Sequence, residues 1–162
     1  MGSGWNHCFH DHRQRGQSLV EFALAATVLL LLLTGVLDLG RMYMAWVAIQ
    51  DAAGEGALYA AMNPRCISAA DGPSCATPNN AYDRTFIAIQ HTPGTPLDPY
   101  RVTIVIMPNN PGQICFGTPI TVSTSYSFTM ITPVMQVVFG PEVRLRAYAV
   151  QRALNHGSGA CP

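Results

Sequence analysis

The sequence predicts an α+β protein in which a long N-terminal helix crosses a membrane, extends out of it and precedes a small antiparallel β-sheet domain. Three observations lead to this prediction. Residues 22–37 carry no charge and contain an unbroken run of leucines at 29–33. Residues 38–62 continue without proline and consist mainly of helix-forming residues. After residue 62, clusters of proline, glycine and asparagine separate short β-branched and aromatic segments, a pattern typical of strands joined by turns.

The uncharged segment from Phe22 to Leu37 is predicted to be a transmembrane helix. It rises about 24 Å at roughly 1.5 Å per residue, and its apolar neighbours extend it toward the ~30 Å of a bilayer core. Arg13 and Arg15 precede it, whereas Asp38 and Arg41, which can face each other three residues apart, cancel after it. The positive-inside bias therefore places the N-terminus in the cytoplasm and the residues after about 40 outside. A secretory signal peptide fits poorly, because the apolar core exceeds about 15 residues and no A-x-A site follows it.

The helix is predicted to continue beyond the membrane, from Gln17 to Met62, over about 69 Å at roughly 1.5 Å per residue. Half of it would lie in lipid and half would stand out of the membrane. Gly54 and Gly56 weaken the outer half, because each costs about 1 kcal/mol relative to alanine. The helix is expected to end before Asn63-Pro64, since the residue before a proline is pushed out of the helical region.

The residues after the helix are predicted to form a loop and then the sheet domain. Residues 63–81 collect turn-forming residues and two cysteines, and they are expected to be an exposed loop. Residues 82–154 are expected to be the extracytoplasmic domain, with antiparallel strands at 86–90, 101–107, 121–129 and 143–152, because the short spacing leaves no room for crossover helices. Residues 132–139 favour either a short helix or an apolar loop, and residues 155–162 are interpreted as a frayed tail.

The cysteines fall on both sides of the predicted membrane. Cys8 lies on the cytoplasmic side and is expected to be a free thiol, whereas Cys66, Cys75, Cys115 and Cys161 lie outside, where disulfides persist. Four cysteines allow three pairings, and the sequence does not choose among them. The turn-rich loop favours Cys66 with Cys75, which leaves Cys115 with Cys161. Cys115 is equally compatible with being a small buried apolar residue.

Composition and motifs argue against several classes of function. Charged residues make up 11% of the chain and the formal net charge is +0, so no basic patch indicates nucleic-acid binding. No hydrolase, metalloprotease or phosphate-loop motif occurs, and we expect no enzyme, cofactor or small-molecule substrate. A histidine–cysteine cluster lacks a second ligand pair at zinc-finger spacing, and no metal site is expected there; it comprises His7, Cys8, His10 and His12. Tyr43, Met44 and Trp46 follow the apolar segment and are interpreted as interfacial anchors.

Glu21 is an ionisable residue at the entrance to the apolar segment, where a charge is costly. One interpretation is a capping box, in which Ser18 is the N-cap of the helix and Glu21 binds the N-cap amide. The other interpretation uses the whole junction. Gly16, four intervening residues and Glu21 match the processing signal of type IV prepilins, which are cut after the glycine, so that residues 1–16 form a cytoplasmic leader. The two interpretations are compatible.

Three further blocks occur along the predicted helix, at Val20–Leu24, Gly35–Arg41 and Ala52–Ala61. In order and spacing they resemble the TadE-type pseudopilins of tight-adherence (Tad) pilus systems. The resemblance implies that a prepilin peptidase cuts the chain after Gly16 and that Gln17 becomes the new N-terminus. It also implies that the Glu21 carboxylate meets the N-terminal amine of a neighbouring subunit.

The resemblance therefore predicts a minor pseudopilin, a structural subunit of a Tad-type pilus involved in surface adherence. Its expected partners are membrane lipid, the prepilin peptidase, other pilins and pseudopilins, and the Tad secretion machinery. Its expected location is the cytoplasmic membrane, which it crosses once, or a surface pilus. The alternative is a single-pass protein whose outer β domain is a stand-alone binding module with an intact leader. An extracytoplasmic enzyme would require a pocket with convergent polar groups.

Overall fold

The computed structural model of the protein describes residues 12–91, 97–157 and 159. Within these residues the chain forms, in order, α1 (His12–Met62), α2 (Ala81–Gln90), β1 (Val102–Met107), β2 (Pro119–Thr129), α3 (Pro133–Phe139) and β3 (Glu142–Arg152). Short 3-10 turns lie at Ala69–Asp71, Pro73–Cys75, Pro99–Arg101 and Pro111–Gln113. The predicted α+β class, with a long apolar N-terminal helix before a small antiparallel sheet, is confirmed. The histidine–cysteine group near the N-terminus, for which no metal site is expected, lies outside the described residues except for the backbone of His12.

Helix α1 is continuous and begins at His12, earlier than the predicted start at Gln17. It ends at Met62 as predicted, where the Asn63 amide donates to the Tyr59 carbonyl at 2.8 Å and a proline follows. From Gly16 onward the helix is long and apolar enough to cross a membrane, and none of the residues in its most apolar stretch is buried within the protein.

The outer half of α1 is the centre of the folded domain. Apart from Ile49, its buried face consists mainly of small side chains at helical spacing, namely Ala45, Ala48, Ala52, Ala53, Ala57 and Ala60. Because these side chains are small, the sheet and α2 approach the helix backbone closely. The Thr124 hydroxyl of β2, for example, donates to the Ile49 carbonyl of α1 at 2.9 Å. The folded domain therefore packs along the side of the half of α1 that is predicted to lie outside the membrane.

The strand predicted at 86–90 is wrong, because these residues belong to α2. Asn80 caps this helix, and its Oδ1 accepts a hydrogen bond from the Asp83 amide at 2.8 Å. Ala81, Thr85 and Ile89 are four residues apart and buried, which is the spacing of a helix face. Phe86, Ile87 and Ile89 favour a strand by composition. The Asn80 cap and the four-residue spacing of the buried side chains favour the helix that the structure shows.

The sheet has the order β1-β2-β3, with both pairs antiparallel. Thr124 in the central strand lies opposite Ile104 of β1 and Ala147 of β3, and all three are buried. The strands predicted at 101–107, 121–129 and 143–152 are confirmed, with small shifts of their first residues. The segment 132–139, for which the sequence left two options, forms the helix α3.

The loop at 63–80 is partly buried, in contrast to the predicted exposed loop. Ile67, Cys75 and Asn80 are buried, and the Asn80 side-chain amide donates to the Cys75 carbonyl at 2.9 Å. A disulfide joins Cys66 to Cys75, with a Cα–Cα distance of 5.1 Å. This is the pairing that the turn-rich loop favours, and closing so short a loop stabilises by about 2–3 kcal/mol in the chain-entropy model.

Cys115 is also disulfide-bonded, so it is not merely a small buried thiol. The partner favoured by the sequence, Cys161, lies outside the described residues, as does Cys8. The pairing of Cys115 with Cys161 stays a prediction.

Gly56 permits the close contact between α1 and α2. A Cβ atom at this position would overlap the Thr85 hydroxyl and lie 3.5 Å from the Ala81 carbonyl oxygen. Gly56→Ala is therefore expected to destabilise the domain by about 1–3 kcal/mol through overpacking. Thermal unfolding of the detergent-solubilised protein measures this effect.

Gly54→Ala is the matched control for this prediction. Gly54 lies on the same helix, and an added Cβ atom there would meet nothing within 4 Å. Since alanine has the better helix propensity by about 0.8–1.0 kcal/mol, Gly54→Ala should raise the unfolding temperature slightly. Equal effects of the two substitutions would show that α2 does not pack against Gly56 as described.

Candidate functional site

The predicted processing site lies on an exposed part of α1. Gly16 and Gln17 are exposed, and a Cβ atom added at Gly16 would meet nothing within 4 Å. The Gln17 side-chain amide donates to Glu21 Oε1 at 3.2 Å. The Glu21 side chain is itself exposed, so its carboxylate can exchange this contact for a stronger donor.

The capping-box interpretation of Ser18 and Glu21 is wrong for this structure. An N-cap residue stands at the first turn of a helix, where amides lack partners within the helix. Because α1 begins at His12, Ser18 lies inside the helix instead of at its start. The observed contact of Glu21 is with the Gln17 side chain one turn earlier.

Two carboxylates mark the ends of the uncharged segment. Glu21 precedes it and Asp38 follows it, about 26 Å apart along the helix axis at roughly 1.5 Å per residue. Their surroundings differ: Glu21 is exposed, whereas Asp38 is only 2% exposed. The first carboxylate is thus available to a partner, while the second is already engaged within the protein.

Asp38 binds the start of α3. Its Oδ2 accepts hydrogen bonds from the Thr132 amide at 2.8 Å and from the Thr132 hydroxyl at 2.6 Å. Its Oδ1 accepts from Arg41 at 3.3 Å, which is the contact predicted from their spacing. The Arg41 guanidinium also lies over the Phe128 ring, 5.3 Å from its centroid. We name the contacts among these four side chains the Asp38 junction.

The Asp38 junction sets the position of α3 against α1. Thr132 directly precedes α3, so the helix begins beside the end of the uncharged segment. Met135 of α3 then reaches Gly35, where an added Cβ atom would lie 3.1 Å from the Met135 Cε. Sequence reasoning missed the contact between Asp38 and Thr132 because the two residues are 94 positions apart. A buried carboxylate next to an apolar segment was the available signal, since such a group requires a partner.

The sheet face that points away from α1 is polar and shallowly concave. Its centre is lined by one exposed valine, Val105, and otherwise by Thr103, Ser123, Ser125, Arg144, Arg146 and Tyr148. The side chains of Arg144 and Arg146 are both exposed. Glu142 at the edge of the sheet contacts Arg101 at 3.0 Å instead. The face therefore presents hydroxyl groups and positive charge to a partner.

The predicted interfacial aromatics are exposed on α1. Tyr43 and Trp46 are 60% and 41% exposed, and their ring centroids are 6.1 Å apart. They follow the uncharged segment by about one and a half to two and a half helical turns, a position that is compatible with interfacial anchors. Within the described residues, no group of three or more metal-ligating side chains comes together.

Comparison with known protein families finds a match to part of this chain. The model of the family described as TadE-like protein matches residues 16–58, about a quarter of the chain. The matched segment begins at the glycine of the predicted processing site, includes the uncharged segment and Asp38, and reaches into the buried alanine face of α1. Neither the curated proteins nor the solved structures give a match. The resemblance found in the sequence is thus confirmed over residues 16–58: this segment is similar to TadE-like proteins, which is consistent with a component of the Tad pilus system.

Proposed function

We propose that this protein is a membrane-anchored minor pseudopilin, cut after Gly16 and assembled into a Tad-type pilus complex through the apolar half of α1. The observation that carries this proposal is the division of α1 into two unlike halves. The outer half is covered by the protein's own sheet and α2, whereas the half from Gly16 to Leu37 has the exposed Glu21 and an exposed apolar surface. A helix that leaves this half uncovered is suited to lipid and to packing with other helices.

The Glu21 carboxylate is the proposed docking group for the α-amine of a neighbouring subunit. Cleavage after Gly16 would create an α-amine at Gln17, one helical turn from the Glu21 carboxylate. A carboxylate at the edge of lipid is costly unless a cation offsets it. In a bundle of staggered helices the amine of one subunit and the Glu21 carboxylate of the next can meet that requirement, and the Gln17 side chain occupies the carboxylate before assembly.

Small residues on the exposed half of α1 support helix packing in the membrane. Lipid is as apolar as leucine, so helices associate through close contact at small side chains and through polar groups. The exposed half offers Ala23 and Ala25 among its leucines and valines, and Gly40 is exposed just beyond it. The proposed partners are therefore other pilins and pseudopilins, the Tad secretion machinery and, before assembly, the prepilin peptidase at the cytoplasmic face. This is a structural role, with no chemical step assigned to the protein itself.

Mass spectrometry of the protein co-expressed with a prepilin peptidase tests the proposed cut. The mature chain is expected to begin at Gln17. Gly16→Leu places a good helix former at a position where the added side chain has open space, so it should leave folding intact. The loss of the glycine should prevent cleavage. A mature chain that begins elsewhere, or a Gly16→Leu protein cut as readily as the wild type, would contradict the proposal.

The polar face of the sheet favours a second candidate, a stand-alone binding module on a membrane anchor. Arg144 and Arg146 project from β3 beside the serines of β2, and none of the described residues that line this part of the face is acidic. Such a surface suits an acidic partner. This candidate predicts an intact leader and a monomer in detergent, so the cleavage experiment also separates the two functions.

A further inference from the structure

We propose that α3 and the residue before its cap form a second membrane contact, an apolar shoulder that enters the outer leaflet beside α1. We define the shoulder as residues 131–139. This inference rests on the membrane anchoring proposed above, but it does not depend on pilus assembly. The occupant to which it commits is the acyl-chain region of the same bilayer that α1 crosses.

The shoulder exposes a concentration of large apolar side chains. Residues 131–139 contain no charged side chain. Val137 is 87% exposed, and Val138, Ile131 and Phe139 are 65%, 64% and 55% exposed. Transfer of one such side chain from water to an apolar environment contributes about 1.5–3 kcal/mol when burial is complete. A contiguous patch of this kind indicates an interaction surface.

The position of the shoulder along α1 identifies lipid as its environment. Val134 and Met135 line a groove whose other wall includes Leu31, Leu32 and Val36 of α1. These residues of α1 belong to the uncharged segment, and Leu31 lies about 10 Å below Asp38 at roughly 1.5 Å per residue. If α1 crosses the bilayer along this segment, the shoulder lies at the depth of roughly 5–10 Å that is typical of interfacial apolar helices.

The polar side chains of the shoulder, Thr132 and Gln136, are hydrogen-bonded within the protein, which lowers the cost of placing them in an apolar environment. Asp38 accepts both the amide and the hydroxyl of Thr132. The Gln136 side-chain amide donates to the Met130 carbonyl at 2.9 Å, and the Gly140 amide donates to the Gln136 carbonyl at 2.9 Å. Apart from Gln136, the exposed side chains of the shoulder are apolar.

Residues at the same end of the sheet are suited to the headgroup region. Tyr100 is 97% exposed and directly precedes Arg101, whose guanidinium contacts Glu142 at the start of β3. Tyrosine and arginine are common at the boundary between acyl chains and water. The membrane-proximal end of the domain therefore has aromatic and charged groups above an apolar shoulder.

Depth-dependent quenching of a single tryptophan tests the shoulder. The full-length protein is prepared with Trp5→Phe, Trp46→Phe and Val137→Trp, and it is placed in vesicles of phosphatidylcholine with bromine on the acyl chains. We expect the fluorescence of the introduced tryptophan to be lost in brominated vesicles and to be protected from aqueous iodide. The matched control carries Phe116→Trp in the same background, because Phe116 is also exposed, at 69%, but lies near the other end of the sheet. The control should show the reverse pattern.

Three outcomes would overturn the proposal. Quenching of the Val137→Trp protein by iodide, without quenching by brominated lipid, would place the shoulder in water. Protection from both quenchers would mean that a second copy of the chain covers it. Failure of the protein to float with the vesicles would overturn the anchoring as well as the shoulder, whereas flotation with an iodide-accessible residue 137 would overturn the shoulder alone.

Discussion

Replacing Glu21 with glutamine is expected to leave the protein in the membrane and to remove it from the pilus complex. The substitution preserves the length of the side chain but abolishes its charge, so that insertion of the helix becomes easier. The attraction to the amine of a neighbouring subunit is lost. A hydrogen bond to a charged group contributes about 1.5–3 kcal/mol, which corresponds to roughly a ten- to hundredfold fall in association. Co-purification with a tagged Tad component from solubilised membranes measures this fall.

Asp51→Asn provides the control for the Glu21 experiment. Asp51 is also an exposed carboxylate on α1, but it lies beyond the uncharged segment. Its neutralisation should leave both membrane insertion and co-purification at the wild-type level. If the Glu21→Gln protein co-purified as efficiently as the Asp51→Asn protein, Glu21 would have no role in docking.

The features of the fold that sequence patterns predicted are those with local causes. The absence of charge from Phe22 to Leu37 indicates a membrane span without reference to any other part of the chain. Asn63-Pro64 ends α1 because proline restricts the residue before it. The β-branched segments at β1 and β2, and the alternating apolar and polar residues at β3, lie next to strong turn signals, so their approximate bounds follow from composition.

The features that sequence patterns did not predict depend on contacts between distant residues. The segment 86–90 has the composition of a strand. It belongs instead to α2, a helix that packs on α1 at Gly56 through Ala81 and Thr85. The alanine face of α1 has the composition of any good helix, and its role as the core appears only when the sheet packs on it. Thr132 carries no local sign that its partner is Asp38.

The processing junction shows a different limit of sequence reasoning. Ser18 and Glu21 have the spacing of a capping box, and such a box requires a helix that starts at Ser18. The residues before it are compatible with helix, and α1 extends through them to His12. A short motif thus predicts a contact correctly only when the element around it has the expected bounds.

Removing the Asp38 carboxylate is expected to have the largest effect on the stability of the domain. Asp38→Ala leaves the Thr132 amide and hydroxyl without their acceptor at a site that is 2% exposed. Each such unsatisfied group costs about 1–3 kcal/mol, so a loss of roughly 3 kcal/mol in the free energy of unfolding is expected. Hydrogen exchange at the Thr132 amide and denaturant unfolding in detergent measure the local and the global parts of this loss.

Two further variants assign the effect of Asp38→Ala to the correct partner. The Arg41 side chain is half exposed, and an ion pair of this kind contributes only about 0–1 kcal/mol, so Arg41→Gln should change the stability little. Thr132→Val removes only the hydroxyl donor and should cost about 1 kcal/mol, with Thr132→Ser close to the wild type. A greater loss for Arg41→Gln than for Thr132→Val would mean that the ion pair, and not the capture of Thr132, holds α3 beside the membrane segment. The predicted order, with Asp38→Ala most harmful and Thr132→Val next, follows because both hydrogen bonds end on a carboxylate that is buried, whereas the arginine side chain is half exposed.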